Sequence, residues 1–296
     1  MLPRFHVEDL PGLGSGDEVT LSESVSRHVQ VLRMQPGDAI TVFDGLGAER
    51  QATVVEMGRK RVTLRLGEPV ASDRELPVEV TLAVGMPAND RMDFVIEKAT
   101  ELGARVIQPL VCERSVLRLE GDRAAKKVAH WQGVAIAAAE QCGRAVVPRV
   151  MAVQTLAGWL RAEAGLGSMQ GASAAQATCV GGSARRAVLS LRDAMPLTAW
   201  LEHASASASA SASASASASA SASASASARA EAASEAGAMS PPGFMFLNGP
   251  EGGLSPAEEE MALRAGWQAV SLGRRVLRAD TAPLAALSVI AALHER

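Results

Sequence analysis

The sequence predicts an α/β protein, with a small β-rich domain followed by a mostly parallel sheet covered by helices. Short apolar or alternating segments recur through the first 70 residues, as in a compact barrel. From Val78 onward, strand-like and helix-like segments alternate, which is typical of a parallel sheet with helices on both faces. Near the C-terminus, two glycine-containing loops each follow a strand-like segment and precede a helix.

Residues 1–70 form the predicted β-rich domain. Glu18–Leu21 is a candidate strand, and a helix begins at Ser22 or Ser24 and ends near Arg33. Three further strands are expected, with a hairpin turn at residues 57–60 between the last two: Ala39–Phe43, Gln51–Val55 and Arg61–Leu66. Residues 71–77, polar and ending in proline, are the predicted linker.

Residues 78–296 form the predicted second domain. Val78–Val84 and Arg105–Val111 are expected strands, because both are short apolar runs. Between them, apolar residues from Met92 to Leu102 recur at helical spacing, and Gly103 ends that helix. A long alanine-rich helix follows at Asp122–Cys142, closed by Gly143.

An insertion interrupts the second domain at about residues 165–238. It contains an uninterrupted alternation of alanine and serine from Ala204 to Ala228. Alanine cannot build a core face, and the run carries no charge. The composition therefore predicts a low-complexity surface segment without a packed core.

The first C-terminal loop, residues 248–253, contains three glycines and follows the strand-like run Gly243–Leu247. Glycine permits close backbone approaches that a Cβ would block. Ser255, Pro256 and Glu258 then predict a helix start with a capping box. A plain strand-to-helix turn is the alternative for this loop taken alone.

The second loop favours a ligand site over a plain turn. Trp267–Leu272 reads as a strand, Gly273 breaks it, and an arginine-rich bend leads to Thr281, a candidate N-cap. The helix after it, Pro283 to His294, is apolar on nearly every side and is expected to be buried. Loops at the carboxyl ends of parallel strands form the usual ligand crevice of an open α/β sheet. Neither loop matches the dinucleotide or nucleoside-triphosphate fingerprints.

Composition limits the function classes. No apolar run reaches membrane-spanning length and no signal-peptide pattern is present, so a soluble, cytoplasmic protein is expected. Five scattered histidines and three cysteines without paired spacing predict no metal site and reduced, mostly buried thiols at Cys112, Cys142 and Cys179. The net charge of −3 lacks the general basicity typical of RNA-binding domains, so any RNA contact requires local patches.

Several short motifs, in this order and spacing, resemble the ribosomal RNA small subunit methyltransferase E family of the SPOUT superfamily. The resemblance covers nearly the whole chain except roughly residues 162–240. Besides the two C-terminal loops, it is carried by residues 3–5, 28–33, 36–38, 43–45, 98–103, 113–115 and 140–144 with Pro148.

The resemblance implies a fold, a reaction and partners. The fold would be a SPOUT-type parallel sheet with a C-terminal trefoil knot, preceded by a PUA-like RNA-binding barrel. The reaction would transfer the methyl group of S-adenosylmethionine to N3 of a uridine in 16S ribosomal RNA. The substrate would be the assembled small subunit, and the enzyme a homodimer. Asn248 and Asp280 depart from the family, which often has an aliphatic residue and a glutamate there.

The resemblance also implies site residues, residue by residue. The cofactor set comes from the two loops: Leu247, Gly249, Pro250, Glu251, Gly252, Leu272, Gly273, Val276, Leu277 and Thr281. The RNA-binding candidates are Arg4, Arg27, His28 and Arg33, for which a solvated surface charge is the alternative. The catalytic candidates are Arg114, Gln141 and Arg144, although the last two also suit helix capping. The general base stays unassigned among Glu101, Glu113 and Glu140, each of which also suits a structural ion pair.

Two other functions remain open on the sequence. A SPOUT enzyme acting on another RNA target, such as a ribose hydroxyl or transfer RNA, would share the cofactor loops. A non-catalytic RNA-binding or assembly protein would have kept the fold without binding the cofactor. The modified nucleoside separates the first alternative from the leading hypothesis, and cofactor binding separates the second.

Overall fold

The computed structural model describes residues 2–8, 10, 12, 14–88, 90–166, 184–202 and 243–295. The alanine-serine alternation lies outside these residues. The N-terminal part contains a five-stranded sheet with strand order β1-β3-β4-β5-β2. Its strands are β1 (Arg4–His6), β2 (Glu18–Thr20), β3 (Ala39–Phe43), β4 (Glu49–Met57) and β5 (Val62–Pro69), with helix α1 (Glu23–Val31) after β2.

Alternation along the strands builds the core of this first sheet. In β4, Ala52 and Val54 are buried while Gln51 and Thr53 are exposed, as period-two side-chain geometry requires. Phe5 and Val29 are fully buried in the same cluster. Strand β1 is parallel to β3 and was not predicted, because three residues are too few to show a strand pattern in the sequence.

The second sheet is parallel in every pairing among the described strands, with order β11-β13-β10-β12-β6-β7-β8 and β9 beside β7. The strands are β6 (Glu79–Gly85), β7 (Val106–Val111), β8 (Arg149–Val150), β9 (Gln154–Thr155), β10 (Arg185–Leu189), β11 (Met195–Pro196), β12 (Gly243–Asn248) and β13 (Gln268–Ser271). The helices are α2 (Arg91–Glu101), α3 (Gly121–Cys142), α4 (Leu156–Leu166), α5 (197–202), α6 (Pro256–Arg264) and α7 (Thr281–His294).

The core of this domain lies on both faces of the central strands. All six residues of β12 are buried, because helices cover the parallel sheet on each side. Trp131 and Trp200 lie in one cluster, and Trp159 lies in another. Gly143 ends α3 in the left-handed region at φ 91°, as its position in the sequence predicts.

Three features differ from the sequence-based expectations. β10, β11 and α5 lie inside the predicted insertion, so the expectation of a surface segment without a packed core is wrong for residues 184–202, where Ala187, Val188 and Trp200 are buried. These elements were not predicted because each is short and the composition around them is dominated by alanine and serine. α7 was expected to be buried all round, but only one side is covered, and Leu293 remains 42% exposed. Its N-cap is Asp280, so Thr281 is the first helical residue and the N-cap prediction was wrong by one position. The knot and the domain boundaries stay predictions.

The described helices include none with the length and apolar composition needed to cross a membrane.

The capping box at α6 has a measurable stability effect. The Glu258 N–H donates to the Ser255 hydroxyl at 3.2 Å, and the Ser255 N–H donates to the Glu258 carboxylate at 2.9 Å. We expect Ser255→Ala to lower the free energy of unfolding by about 1 kcal/mol. Urea unfolding measures this. Ser288→Ala, on the exposed side of α7, is the control and should stay within about 0.5 kcal/mol of wild type. An equal loss in both variants would contradict the capping argument.

Candidate active site

A cavity of about 520 Å³ opens where β10, β12 and β13 end. The carboxyl ends of parallel strands meet at one sheet edge, so three loops converge there. The volume lies within the range of small-molecule sites. Loop 1 (residues 248–255) and loop 2 (residues 272–280) supply most of its lining.

Two glycines let loop 1 cross the sheet edge at close range. A Cβ on Gly85, at the end of β6, would lie 2.7 Å from the Pro250 ring and its nitrogen. A Cβ on Gly249 would lie 2.5 Å from the backbone nitrogen of Leu254. Neither contact is possible for a real side chain, so both positions require glycine for space. Within the loop, the Gly253 N–H donates to the Pro250 carbonyl at 2.8 Å.

The segment after β7 clamps loop 1 from outside. Glu258 accepts from the Glu113 N–H at 2.7 Å in addition to its capping bond. The neighbouring Arg114 guanidinium donates to the Gly252 carbonyl at 2.9 Å and to the Leu254 carbonyl at 3.4 Å. Arg114, a predicted catalytic residue, therefore lines the cavity and also holds loop 1 in place.

Asn248 joins the two loops. Its Nδ2 donates to the Ala279 carbonyl of loop 2 and to the Gly249 carbonyl, each at 3.1 Å. Its Oδ1 is buried and has no hydrogen-bond partner in the described part of the chain. An acceptor left unpaired in this way costs free energy unless something else donates to it.

Arg91, at the start of α2, is a second connection between the loops. Its guanidinium lies 3.6 Å from Glu251 of loop 1 and 4.0 Å from Asp280 of loop 2. Glu251 also accepts from the Ala88 N–H at 2.8 Å. Sequence reasoning missed Arg91, although its place just after the carboxyl end of a predicted strand was an available signal.

The turn after β10 forms the third wall. Ser190 is hydrogen-bonded to Glu259 of α6, and the Arg192 guanidinium lies 3.8 Å from the same carboxylate. Leu189 and Leu191 line the cavity beside them. No motif marks this wall, because β10 lies within the predicted insertion and is only five residues long.

Most of the predicted cofactor residues lie at the cavity. Seven of the ten line it: Gly249, Pro250, Glu251, Gly252, Leu272, Val276 and Leu277. Leu247, Gly273 and Thr281 are not among the lining residues. The Leu247 side chain is fully buried in the core beneath, whereas Gly273 and Thr281 are exposed.

Gln141 and Arg144 do not reach the cavity. Arg144 is 4% exposed, donates twice to Glu75 at 2.7 and 2.9 Å, and binds the Thr100 and Ala104 carbonyls. These contacts occupy the guanidinium, which contradicts a direct catalytic role. Gln141 is exposed at the end of α3.

Arg4 is also buried, contrary to an RNA-binding role. Its guanidinium donates to Glu49 at 2.6 Å and to the Arg144 carbonyl at 3.1 Å, and it lies over the Phe43 ring. It therefore joins the N-terminal sheet to the loop that follows α3. The other predicted RNA-binding residues are exposed, namely Arg27, His28 and Arg33.

Glu140 lies at the same junction and accepts from the His6 N–H at 2.9 Å, with His28 3.6 Å away. Burial raises the pKa of Glu140, while the His6 hydrogen bond opposes the rise. Glu101 pairs with Lys98, and the Glu113 side chain is exposed. None of these three carboxylates lines the cavity.

Cys112 lies under loop 1 and is expected to be unreactive. Burial, with the nearby Glu258 carboxylate, raises the pKa of its thiol to about 12, although a Ser115 hydrogen bond opposes this. We expect iodoacetamide at pH 8 to alkylate Cys112 only in urea, because the thiolate is the nucleophile. Mass spectrometry measures this, with half-buried Cys142 as internal reference. Equal native rates at both thiols would contradict the expectation. Cys179 lies outside the described residues.

Among the described residues, no group of three or more histidines, cysteines or acidic residues is arranged to hold a metal ion.

Comparisons with known proteins agree with this architecture. The model of an RNA methyltransferase domain matches residues 74–178 and 171–291, and that of an RNA methyltransferase PUA domain matches residues 21–67. Ribosomal RNA small subunit methyltransferase E of Synechocystis is 31% identical over 278 residues, covering 94% of this chain and 74% of the relative. The Bacillus subtilis protein of the same name is 30% identical over 270 residues, covering 90% and 87%.

A solved structure extends the likeness to three dimensions. The crystal structure of a ribosomal RNA small subunit methyltransferase E from Neisseria gonorrhoeae, bound to S-adenosyl methionine, superposes with a TM-score of 0.74. It is 30% identical, and the match covers 99% of this chain and 98% of the other. Matching domain models, similar full-length sequences and a shared fold lead to one conclusion: this chain belongs to the ribosomal RNA small subunit methyltransferase E family.

Proposed function

We propose that this protein transfers the methyl group of S-adenosylmethionine to N3 of a specific uridine in 16S ribosomal RNA. The observation that carries the proposal is the cavity at the carboxyl ends of β10, β12 and β13, enclosed by two glycine-containing loops. The family supplies the class of reaction, and the Neisseria gonorrhoeae relative is a protein bound to the same cofactor.

The lining residues fit this cofactor. Gly249 lets the backbone of loop 1 fold back closely on Gly253 and Leu254, which fixes the shape of the main chain that lines the cavity. Leu272 and Leu277 offer apolar contacts, and the unpaired Oδ1 of Asn248 is an acceptor for a donor such as an amine or a hydroxyl. When bound, the cofactor supplies a methyl group already activated by its positive sulfonium.

The protein's own task is then positioning. Uracil N3 carries a proton and is a poor nucleophile, so negative charge must develop on the ring as that proton leaves. The arginine side chains that line the cavity supply positive charge that would stabilise it. Loop 1, held by Arg114 and Glu258, would hold the bound methyl donor in a fixed position, and such positioning is a large part of the rate enhancement in two-substrate reactions. The base that removes the proton is unassigned.

Nucleoside mass spectrometry of small-subunit ribosomal RNA tests the reaction. The gene is deleted and complemented with wild type, with Gly249→Ala, or with Gly133→Ala as control. We expect 3-methyluridine to disappear on deletion, to return with wild type and Gly133→Ala, and to stay low with Gly249→Ala. Unchanged 3-methyluridine in the deletion strain would overturn the proposal and favour another RNA target.

The proposal includes the assembled small subunit as substrate and a homodimer as the active form. Methyl transfer to intact subunits should exceed transfer to protein-free 16S RNA, and a greater rate on bare RNA would reverse that assignment. Sedimentation velocity of the full chain determines the oligomeric state.

A further inference from the structure

We propose that the RNA nucleotide to be methylated docks on a rim cluster made of Arg274, Arg275 and Arg278 with the aliphatic side chains of Leu191 and Val276. The identity of the partner as RNA rests on the proposed function. The surface itself is assigned from charge and exposure, and it lies apart from the N-terminal RNA-binding residues predicted above.

The three arginines carry positive charge that no described residue neutralises. All three are exposed on loop 2, and Arg275 and Arg278 line the cavity. Their guanidinium groups make no hydrogen bond or ion pair with any residue in the described ranges. The chain as a whole has a net charge of −3, so three arginines between residues 274 and 278 form a local concentration of positive charge.

The carboxylates around the cavity are already paired with other cations. Glu251 and Asp280 lie 3.6 and 4.0 Å from Arg91, and Glu259 lies 3.8 Å from Arg192. The cavity lining contains five arginines and two glutamates, so the rim carries a net positive charge to which loop 2 contributes Arg275 and Arg278. Guanidinium forks match phosphate oxygens in geometry, so a phosphate backbone is the natural counter-charge.

Two aliphatic side chains lie at the same opening. Val276 is 83% exposed and Leu191 is 55% exposed, and both line the cavity. Val276 stands between Arg275 and Leu277 on loop 2, while Leu191 belongs to the turn after β10. Exposed apolar surface beside unpaired arginines suits a nucleotide, whose base is flat and apolar on its faces and whose phosphate is anionic.

The chemistry of the target requires such a surface. N3 of uracil lies on the pairing edge, so it is inaccessible while the base is paired. Enzymes that modify such atoms act on single-stranded substrate or extrude the base into a pocket. A rim that holds the phosphates while the base passes between Leu191 and Val276 would meet that requirement.

The test uses the full-length protein and a short fluorescent, uridine-containing single-stranded RNA. Arg275→Ser and Arg278→Ser, singly and combined, are compared with Arg264→Ser, an exposed arginine on α6 outside the cavity lining. Each lost phosphate contact should reduce the slope of log affinity against log salt by about 0.7, which is roughly fivefold in affinity at 0.1 M salt. Arg264→Ser should leave the slope unchanged.

A second pair of variants tests the aliphatic part. We expect Leu191→Ser to raise KM for the small subunit with a smaller change in kcat, and Val116→Ser to change neither. Val116 is the matched control, because it is 77% exposed and does not line the cavity.

Three results would overturn the proposal. Unchanged salt slopes in the arginine variants would place the RNA elsewhere, for example on Arg27 and Arg33. A parallel loss of S-adenosylmethionine affinity, measured by calorimetry, would assign the arginines to the cofactor. If the wild-type protein is an oligomer and the arginine variants sediment as monomers, the rim is an interface between copies of this chain. If the wild-type protein forms no 3-methyluridine but its RNA affinity still depends on these arginines, the proposed reaction is wrong and the RNA-docking surface stands.

Discussion

Gly249→Ala is expected to weaken S-adenosylmethionine binding by roughly 5- to 150-fold, while the two sheets stay folded. The new Cβ would lie 2.5 Å from the Leu254 nitrogen and 2.7 Å from the Gly253 carbonyl carbon. The three nearest atoms all belong to the backbone of Gly253 and Leu254. No flexible side chain can move aside, so loop 1 must change shape. Overpacking of this kind costs about 1–3 kcal/mol, and the stated range of Kd is the equivalent of that cost. Calorimetric titration of the purified protein measures it.

Two further glycine variants sharpen this experiment. Gly85→Ala crowds the same loop from the opposite side, because its Cβ would meet Pro250 at 2.7 Å, and it should also weaken binding. Gly133→Ala is the control, since a Cβ there meets nothing within 4 Å and the residue lies inside α3. It should stabilise the fold by about 0.5–1 kcal/mol without affecting the ligand. Wild-type affinity in Gly249→Ala would show that loop 1 does not shape the site.

Arg144→Met is expected to lower the free energy of unfolding by about 3–5 kcal/mol. The variant removes the guanidinium that donates to Oε2 of Glu75 and to the buried Thr100 and Ala104 carbonyls. Removing one partner of a buried ion pair has this size of effect, because the other charge stays in a poorly solvated place. The same carboxylate also accepts from the Ala145 and Val146 N–H groups, so the whole junction should loosen. Urea unfolding is the measurement.

Arg149→Met is the matched control for this prediction. Arg149 lies five residues further along, is exposed, and should change stability by no more than about 0.5 kcal/mol. The comparison separates the structural role from the catalytic role predicted by the sequence. If Arg144→Met unfolds like wild type but binds RNA poorly, the guanidinium reaches the substrate and the structural role is wrong.

Local signals predicted the elements that build the cavity. Ser255, Pro256 and Glu258 form the capping box that their order in the chain predicted. Gly249 of loop 1 stands where backbone meets backbone, and Gly253 has a positive φ of 67°; both are circumstances that favour glycine. Such signals are readable because caps and tight turns depend on residues a few positions apart.

Contacts between distant segments were not predictable in the same way. Arg91 and Asp280 are separated by about 190 positions in the sequence, yet they approach within 4.0 Å. The wall formed by Ser190 and Glu259 depends on β10, which lies inside the predicted insertion and was not predicted as a strand.

The sequence by itself determined the two-part α/β organisation, the capping box of α6 and the two loops, because periodicity, capping and glycine placement act over short distances. Only the tertiary structure decided what each arginine does. Arg4 and Arg144 are buried against carboxylates, whereas Arg275 and Arg278 lie at the cavity without a side-chain partner in the described part of the chain. All four side chains carry the same charge and the same donors. Their different roles arise from the desolvation and the partners that folding imposes, which no local pattern encodes.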